Sequence, residues 1–215
     1  MIEKLKIFDH EIIKHKVPSN LYDDIELKSS VDKLFAKKEV VSKWQIPTEQ
    51  VGEGVSTVGM GNRYIINLTN VSPLLTYISK FVLKNYFGED YLNEEILFTR
   101  MWVNRIYKYC SGKCHVHYSG NDVSGVAIFY LDVPKNGSKL IILKQDIGDI
   151  IVEKVHDDLA HYLDVESGDL IVHTQVIPHA FSEHLSDDPR TCLIFDFEIK
   201  PPPRKYPENK IGKYM

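Results

Sequence analysis

The stretch GDLIVHTQVIPHAFSEHLSDDPRTCLIFDFEI, residues 168–199, decides how the chain folds. It holds three apolar segments, DLIVHTQ, IPHAFSEHL and RTCLIFDFEI, each of strand length and rich in β-branched and aromatic residues. Gly168-Asp169 and Ser186-Asp187-Asp188-Pro189 separate them as turns. In the last segment alternation puts Leu193, Phe195 and Phe197 on one face and Arg190, Cys192 and Ile194 on the other. An arginine on a partly apolar face is costly unless an acceptor meets it. A bound dicarboxylate would do so in bidentate fashion, and the plainer reading is an arginine at the strand mouth that reaches water or a nearby Asp.

The same texture extends upstream to residue 96. ILFTRMWVNRIYKY, CHVHY, VSGVAIFYLDV, KLIIL, DIIVEKV and AHYLDV all read as strands, with Lys135-Asn136-Gly137, Gly148-Asp149 and Ser167-Gly168-Asp169 as turns. Eight or nine short strands with regular turn signals predict an antiparallel sandwich or small barrel. The N-terminal part differs. EKLKIFDHEIIK (3–14) suggests a leading strand, and Pro18-Ser19-Asn20 a turn before a helix with Leu21, Ile25, Val31, Leu34 and Phe35 on one face. GEGVSTVGMG (52–61) predicts a mobile loop that could serve as a lid. A second helix is expected from Ser72 as N-cap, with Pro73 next, to about Phe87, stopped by Gly88. The expected organisation is 1–95 as a strand and supporting helices within the same domain, 96–200 as a β core, and 201–215 as a surface tail.

Composition sets the limits. The 215 residues are 43% hydrophobic and 26% charged with a net charge of -4, which fits a soluble globular domain with a substantial core. A mildly acidic chain has no general drive toward nucleic acid. No stretch approaches the ~20 apolar residues of a membrane span, and the start of the chain shows no signal-peptide pattern. Three cysteines, Cys110, Cys114 and Cys192, read as reduced thiols, so a cytoplasmic location is expected.

The candidate chemistry lies in histidines. His115-Val116-His117 puts two imidazoles on one face of a strand, half of a metal site, although a bare H-x-H is more often a pair of surface histidines. His179 follows 62 residues after His117, and Arg190 comes 11 residues after His179. Ser124, Val126, Ile128 and Tyr130 share a strand face. His173, His156, His161 and His184 are further titratable groups, with His173 read as a wall residue. Trp44 and Trp102 read as core, and Cys110 and Cys114 as buried thiols.

In this order the segments MWVN (101–104), HVHYSGNDVSGVAIFYLDVP (115–134), GDLIVHTQVIPHAF (168–181) and PRTCLIFDFEI (189–199) resemble the 2-oxoglutarate/Fe(II)-dependent oxygenases, in particular the bacterial and phage proteins similar to prolyl 4-hydroxylases. The resemblance implies a double-stranded β-helix (jelly roll, cupin-like) with helices packed on one sheet. It implies Fe(II) held by His115, His117 and His179, 2-oxoglutarate gripped by Arg190 with Tyr130 beside it, and O2 as co-reactant. Asn104 and Tyr109 fall where that family lines the cosubstrate pocket. The implied activity is hydroxylation of a small-molecule, peptide or protein substrate, with no membrane or nucleic-acid partner and a homodimer as an open option. One departure stands out: most of that superfamily has Asp or Glu where His117 stands, so the site would be one unit more positive. Asp122 is a local candidate to supply a carboxylate. The departure keeps two alternatives open: a three-histidine metalloenzyme that uses no 2-oxoglutarate, and a non-catalytic jelly-roll binding module.

Overall fold

The structure, a computed structural model, describes residues 2–22, 24–37, 50–51, 54–117, 124–145 and 157–200. Its strands in chain order are β1 (Ile2–Ile7), β2 (His10–Lys16), β3 (Gln50–Val51), β4 (Gly54–Ser56), β5 (Ile96–Ile106), β6 (Ser111–Gly112), β7 (Ser124–Asp132), β8 (Leu140–Leu143), β9 (Ala160–Leu163), β10 (Asp169–Thr174), β11 (His179–Phe181) and β12 (Arg190–Ile199). The helices are α1 (Asp24–Phe35), α2 (Arg63–Ile66) and α3 (Val71–Val82). Among the described residues the strands form a seven-stranded sheet in the order β1-β2-β10-β7-β12-β5-β4, a smaller sheet β11-β8-β9, and a β3-β6 pair. All of these pairings are antiparallel.

Two apolar layers hold the sheets in place. One face of the large sheet, with Ala127, Phe129, Leu131, Leu193, Phe195 and Phe197, packs on Leu27, Val31 and Leu34 of α1 and Leu74, Ile78 and Phe81 of α3. The opposite face, with Trp102, Val126, Ile128, Cys192 and Ile194, packs on Leu140, Ile142 and Leu163 of the small sheet. Helices cover one side of the large sheet and a second sheet faces the other, which is the jelly-roll architecture with helices on one sheet. The central strands are therefore buried on both faces, and their alternation sorts one apolar set from another rather than apolar from polar. Gly125 is the thin point of β7: a Cβ there would run into the Phe197 ring and come within 3.0 Å of the His173 carbonyl.

The structure departs from the sequence reading at five places. The expected leading strand is a hairpin, β1 and β2, which turns at Phe8 with φ 54 and pairs Ile7 with His10. In α1 the buried stripe is Leu27, Val31 and Leu34, while Ile25 is 76% exposed. The i, i+4, i+7 spacing of these three removes the apparent slip at Lys28–Ser30. The second helix begins at Val71 after Asn70 (φ 60), so Pro73 is its third residue. It continues through a π-helical turn at Leu83–Phe87 to Gly88 (φ 100). Part of the expected mobile loop is sheet: Gly54–Ser56 pairs with β5 at the sheet edge, and Ser56 and Thr57 are buried, while Gly52 and Glu53 lie outside the described residues. Glycine count does not measure flexibility where the flanking backbone has a strand to pair with. Finally, residues 114–117 of CHVHY are not a continuous strand, since His115 makes an isolated bridge to His179, and Tyr118 lies outside the described residues. The expected strand near 149–155, Trp44, Asp122, His156 and the tail 201–215 lie outside the described residues.

Candidate metal centre

Backbone pairing brings the distant histidines together. His115 and His179 face each other across an antiparallel bridge, each donating its N–H to the other's carbonyl at 3.0 Å. Two residues on, the His117 N–H donates to the Gln175 carbonyl at 2.8 Å, which continues the pairing. Ring centroids are separated by 4.4 Å (His115–His179), 5.0 Å (His117–His179) and 5.3 Å (His115–His117). One ligand atom from each of the three rings lies within 4.8 Å of the others. That is the scale on which one ion gathers imidazole nitrogens at about 2.1 Å each.

The hydrogen bonds of the rings fix which nitrogen carries the lone pair. His115 Nδ1 is 3.0 Å from the Lys113 carbonyl and His179 Nδ1 is 2.9 Å from the Ile177 carbonyl. His117 Nδ1 is 2.6 Å from Asp196 Oδ1. Carbonyl and carboxylate oxygens only accept, so each Nδ1 is the protonated nitrogen and each Nε2 carries the lone pair. Metal-binding histidines need this arrangement. Burial, followed by the neighbouring rings of His115, His173 and His117, holds His179 well below the usual histidine range. It is therefore neutral and able to ligate at pH 7.

His173 stands outside the group of three, packed against one of its members. Its ring packs edge-on to His179 at 4.8 Å, and its Nδ1–H donates to the Thr174 carbonyl at 2.7 Å. Burial, the largest influence, pulls it down to about 4. Well above pH 6.5 this ring is neutral in folded and unfolded chains alike and contributes nothing. As pH falls from 6.5 toward 4 the unfolded chain takes up a proton that the folded one refuses, so stability declines. Between pH 7 and pH 5 this one ring removes about 2 kcal/mol from the metal-free protein. Urea unfolding at the two pH values measures the loss. His173→Phe is expected to shrink the difference by that amount, and an unchanged difference would refute the assignment.

Arg190 stands on the face that strand parity assigned to it. It is 4% exposed and lines, with His115, His117, His179, Tyr130 and Asn104, a solvent-connected cavity of about 50 Å³. Its guanidinium lies 5.3 Å from the Tyr130 ring centroid and 5.0 Å from that of Phe181. One terminal nitrogen donates to the Ser138 carbonyl at 3.2 Å. Ser138 is held in turn by its N–H to His184 Nδ1 at 3.2 Å, while His184 Nε2–H donates to the Asp188 carbonyl at 2.7 Å. Arg190 Nε has no hydrogen-bond partner among the described residues, and no carboxylate pairs with the guanidinium there. A buried cation in this state calls for an anion in the cavity.

Of the other residues singled out from the sequence, Asn104 lines the cavity, and its Oδ1 accepts from Ser56 Oγ at 2.5 Å. Tyr130 is fully buried, and burial pushes its hydroxyl far up. Tyr109 does not join them. Its strand ends at Ile106, the chain turns with φ 66, and the side chain is 64% exposed. Trp102 packs beside His117 at 5.4 Å, so it is both core and cavity wall. Asp196, which no motif flagged, holds His117. Its signal was present in the sequence: it shares strand parity with Arg190, and an acid between Phe195 and Phe197 is out of place in a buried strand.

No family model and no curated protein matches the sequence. Solved structures do match the fold. A prolyl-4-hydroxylase from Pseudomonas putida superposes with a TM-score of 0.57 at 12% identity, over 91% of this chain and 96% of that one. The chain has the prolyl-4-hydroxylase fold. HygX from Streptomyces hygroscopicus, solved with nickel and 2-oxoglutarate bound, superposes with a TM-score of 0.57 at 10% identity, over 87% of this chain and 82% of that one. AviO1 from Streptomyces viridochromogenes Tue57 gives a TM-score of 0.56 at 13% identity, over 89% and 92%. At these identities the agreement is one of fold, and the chemistry has to be argued from the cavity itself.

Proposed function

We propose that this chain is a non-haem Fe(II)- and 2-oxoglutarate-dependent dioxygenase, a hydroxylase of the prolyl 4-hydroxylase type. The observation that carries this reading is one cavity lined by three histidines with Nε2 lone pairs and by a buried arginine with no anionic partner among the described residues. His115, His117 and His179 would hold the metal. Arg190 would grip the far carboxylate of 2-oxoglutarate with its planar fork, steadied by Tyr130 and Phe181 and tethered through Ser138. Asn104, fixed by Ser56, offers a polar contact at the cavity wall. When bound, Fe(II) with 2-oxoglutarate and O2 supplies oxidative decarboxylation of the cosubstrate to succinate and CO2 coupled to hydroxylation of a C–H bond. The protein positions the reactants and excludes water: Trp102, Ile128, Leu140 and Ile194 make the surrounding wall apolar. HygX, solved with nickel and 2-oxoglutarate, supports a metal paired with this cosubstrate, and the Pseudomonas putida hydroxylase supports the reaction type. The substrate class we propose is a peptide, protein or small metabolite.

The rival three-histidine enzyme without 2-oxoglutarate leaves Arg190 unexplained, because a buried guanidinium in the histidine cavity has no use there. We also place the protein in the reducing cytoplasm, on the grounds that Cys110, Cys114 and Cys192 are free and buried. No helix among the described residues is long and apolar enough to cross a membrane.

The test is anaerobic addition of Fe(II) and 2-oxoglutarate, followed by succinate release in air against a panel of peptides and metabolites. A weak visible charge-transfer band, thermal stabilisation by the pair together, and substrate-dependent succinate are expected. No band and no stabilisation would sink the oxygenase reading in favour of a binding module.

A further inference from the structure

The three imidazoles are not held alike. His115 and His179 each donate Nδ1–H to the backbone carbonyl two residues earlier, a neutral and local acceptor. His117 instead donates to a side-chain carboxylate brought in from β12, Asp196, at 2.6 Å. That carboxylate is fully buried. Its other oxygen, Oδ2, accepts from Arg100 Nε at 2.6 Å and lies 2.5 Å from an Arg100 terminal nitrogen. Arg100 is its direct cross-strand partner, at a point where the β12–β5 register shifts between Asp196 and Phe197. Irregularities of this kind re-aim side chains beside functional sites. The arginine side chain is 54% exposed, so water screens much of its charge, while the carboxylate faces a dry interior toward His117. Trp102, 5.4 Å from the His117 ring, with Arg100 5.9 Å from its own, closes this bond off from solvent.

A divalent ion gains no compensating charge from three neutral imidazoles. We propose that Asp196 is a positioning residue that supplies the missing anionic character from outside the ligand set. It orients His117 and makes it the most electron-rich of the three ligands. This rests on the metal reading of the histidine cluster and assigns Asp196 a part in it. A hydrogen-bonded carboxylate behind an imidazole raises its basicity as a ligand, and loss of such partners typically costs 10–100-fold in metal affinity. Had Asp196 only to anchor Arg100 to the surface, it would have no need of a fully buried seat against a ring nitrogen.

Zn(II) alone serves as the probe, with affinity measured by chelator competition and the imidazole N–H groups followed by proton–nitrogen NMR of the full chain. In the unsubstituted Zn(II) form, one of the three Nδ1–H signals is expected well downfield of the other two and slowest to exchange. Asp196→Asn keeps an acceptor oxygen and removes the charge. It is expected to weaken Zn(II) about 10–100-fold and to shift that one signal, whereas Asp196→Glu recovers most of the affinity and Arg100→Gln leaves it within a few-fold. Unsubstituted affinity in a folded Asp196→Asn protein, or three equivalent N–H signals, overturns the proposal even if Asn lowers thermal stability. Should Asp196→Asn not fold, the NMR of the unsubstituted protein still decides. Failure of the unsubstituted protein to bind Zn(II) at all overturns the metal reading itself, a result distinct from binding that ignores Asp196.

Discussion

His179→Ala is expected to abolish succinate release and to weaken divalent-metal binding by more than about a hundred-fold, since even partners outside the ligand set contribute 10–100-fold. The ring cannot be replaced from nearby. His179 sits on the short strand whose backbone is bridged to His115, and its Nδ1–H is tied to the Ile177 carbonyl. His173, the adjacent imidazole, has its own Nδ1–H tied to Thr174 and packs edge-on rather than into the group of three. The metal-free fold should survive. Truncation leaves the Ile177 carbonyl without its donor and opens a small void, which costs about 1–3 kcal/mol. Succinate assay, chelator competition and urea unfolding on the same preparation separate these effects. Retained turnover would show that the metal, if any, sits elsewhere.

Arg190→Met is expected to act on the cosubstrate and spare the metal. Methionine keeps the length and the contact with the Tyr130 and Phe181 rings but loses the charge and the fork. Removal of one partner of a desolvated charge pair costs about 2–5 kcal/mol, so KM for 2-oxoglutarate should rise about thirty-fold or more while metal affinity stays unchanged. The stability of the protein free of 2-oxoglutarate should hold or increase, because a buried cation without an anion is itself unfavourable. Arg190→Lys should recover only part of the loss, since a point charge does not reproduce bidentate geometry. If Arg190→Met bound 2-oxoglutarate normally, the three-histidine enzyme without this cosubstrate would become the better reading. Steady-state kinetics across a 2-oxoglutarate series, with thermal shifts in its presence and absence, measure both quantities.

Much of this was legible in the residues. The two faces of β12 and of β7 followed from alternation, because a buried strand has a strict period of two, and the structure sorts Arg190, Cys192 and Ile194 from Leu193, Phe195 and Phe197 as expected. Other positions misled for identifiable reasons. Ile25 fitted a helical stripe only because Leu27 was passed over. The glycines of the 52–61 stretch suggested mobility, but Gly54–Ser56 pairs with Asn104–Ile106 of β5, a strand distant in sequence. Tyr109 was assigned to the cosubstrate pocket by resemblance alone, yet its own positive φ goes with a side chain exposed outside the cavity.

The sequence by itself determined the mainly β character of residues 96–200, the two faces of β7 and β12, and the chemical types on one of those faces and nearby: imidazoles, one guanidinium and a phenol. These follow from local periodicity and from the cost of burying charge, both of which act within a few residues. Tertiary structure alone decided that His115 and His179 oppose each other across a backbone bridge, that Arg190 opens onto the same cavity, and that Asp196 stands behind His117. Such matters depend on strand register and on which strands become neighbours. The free energy that selects them is the burial of two apolar faces summed over the whole sheet, a quantity that no local stretch of residues contains.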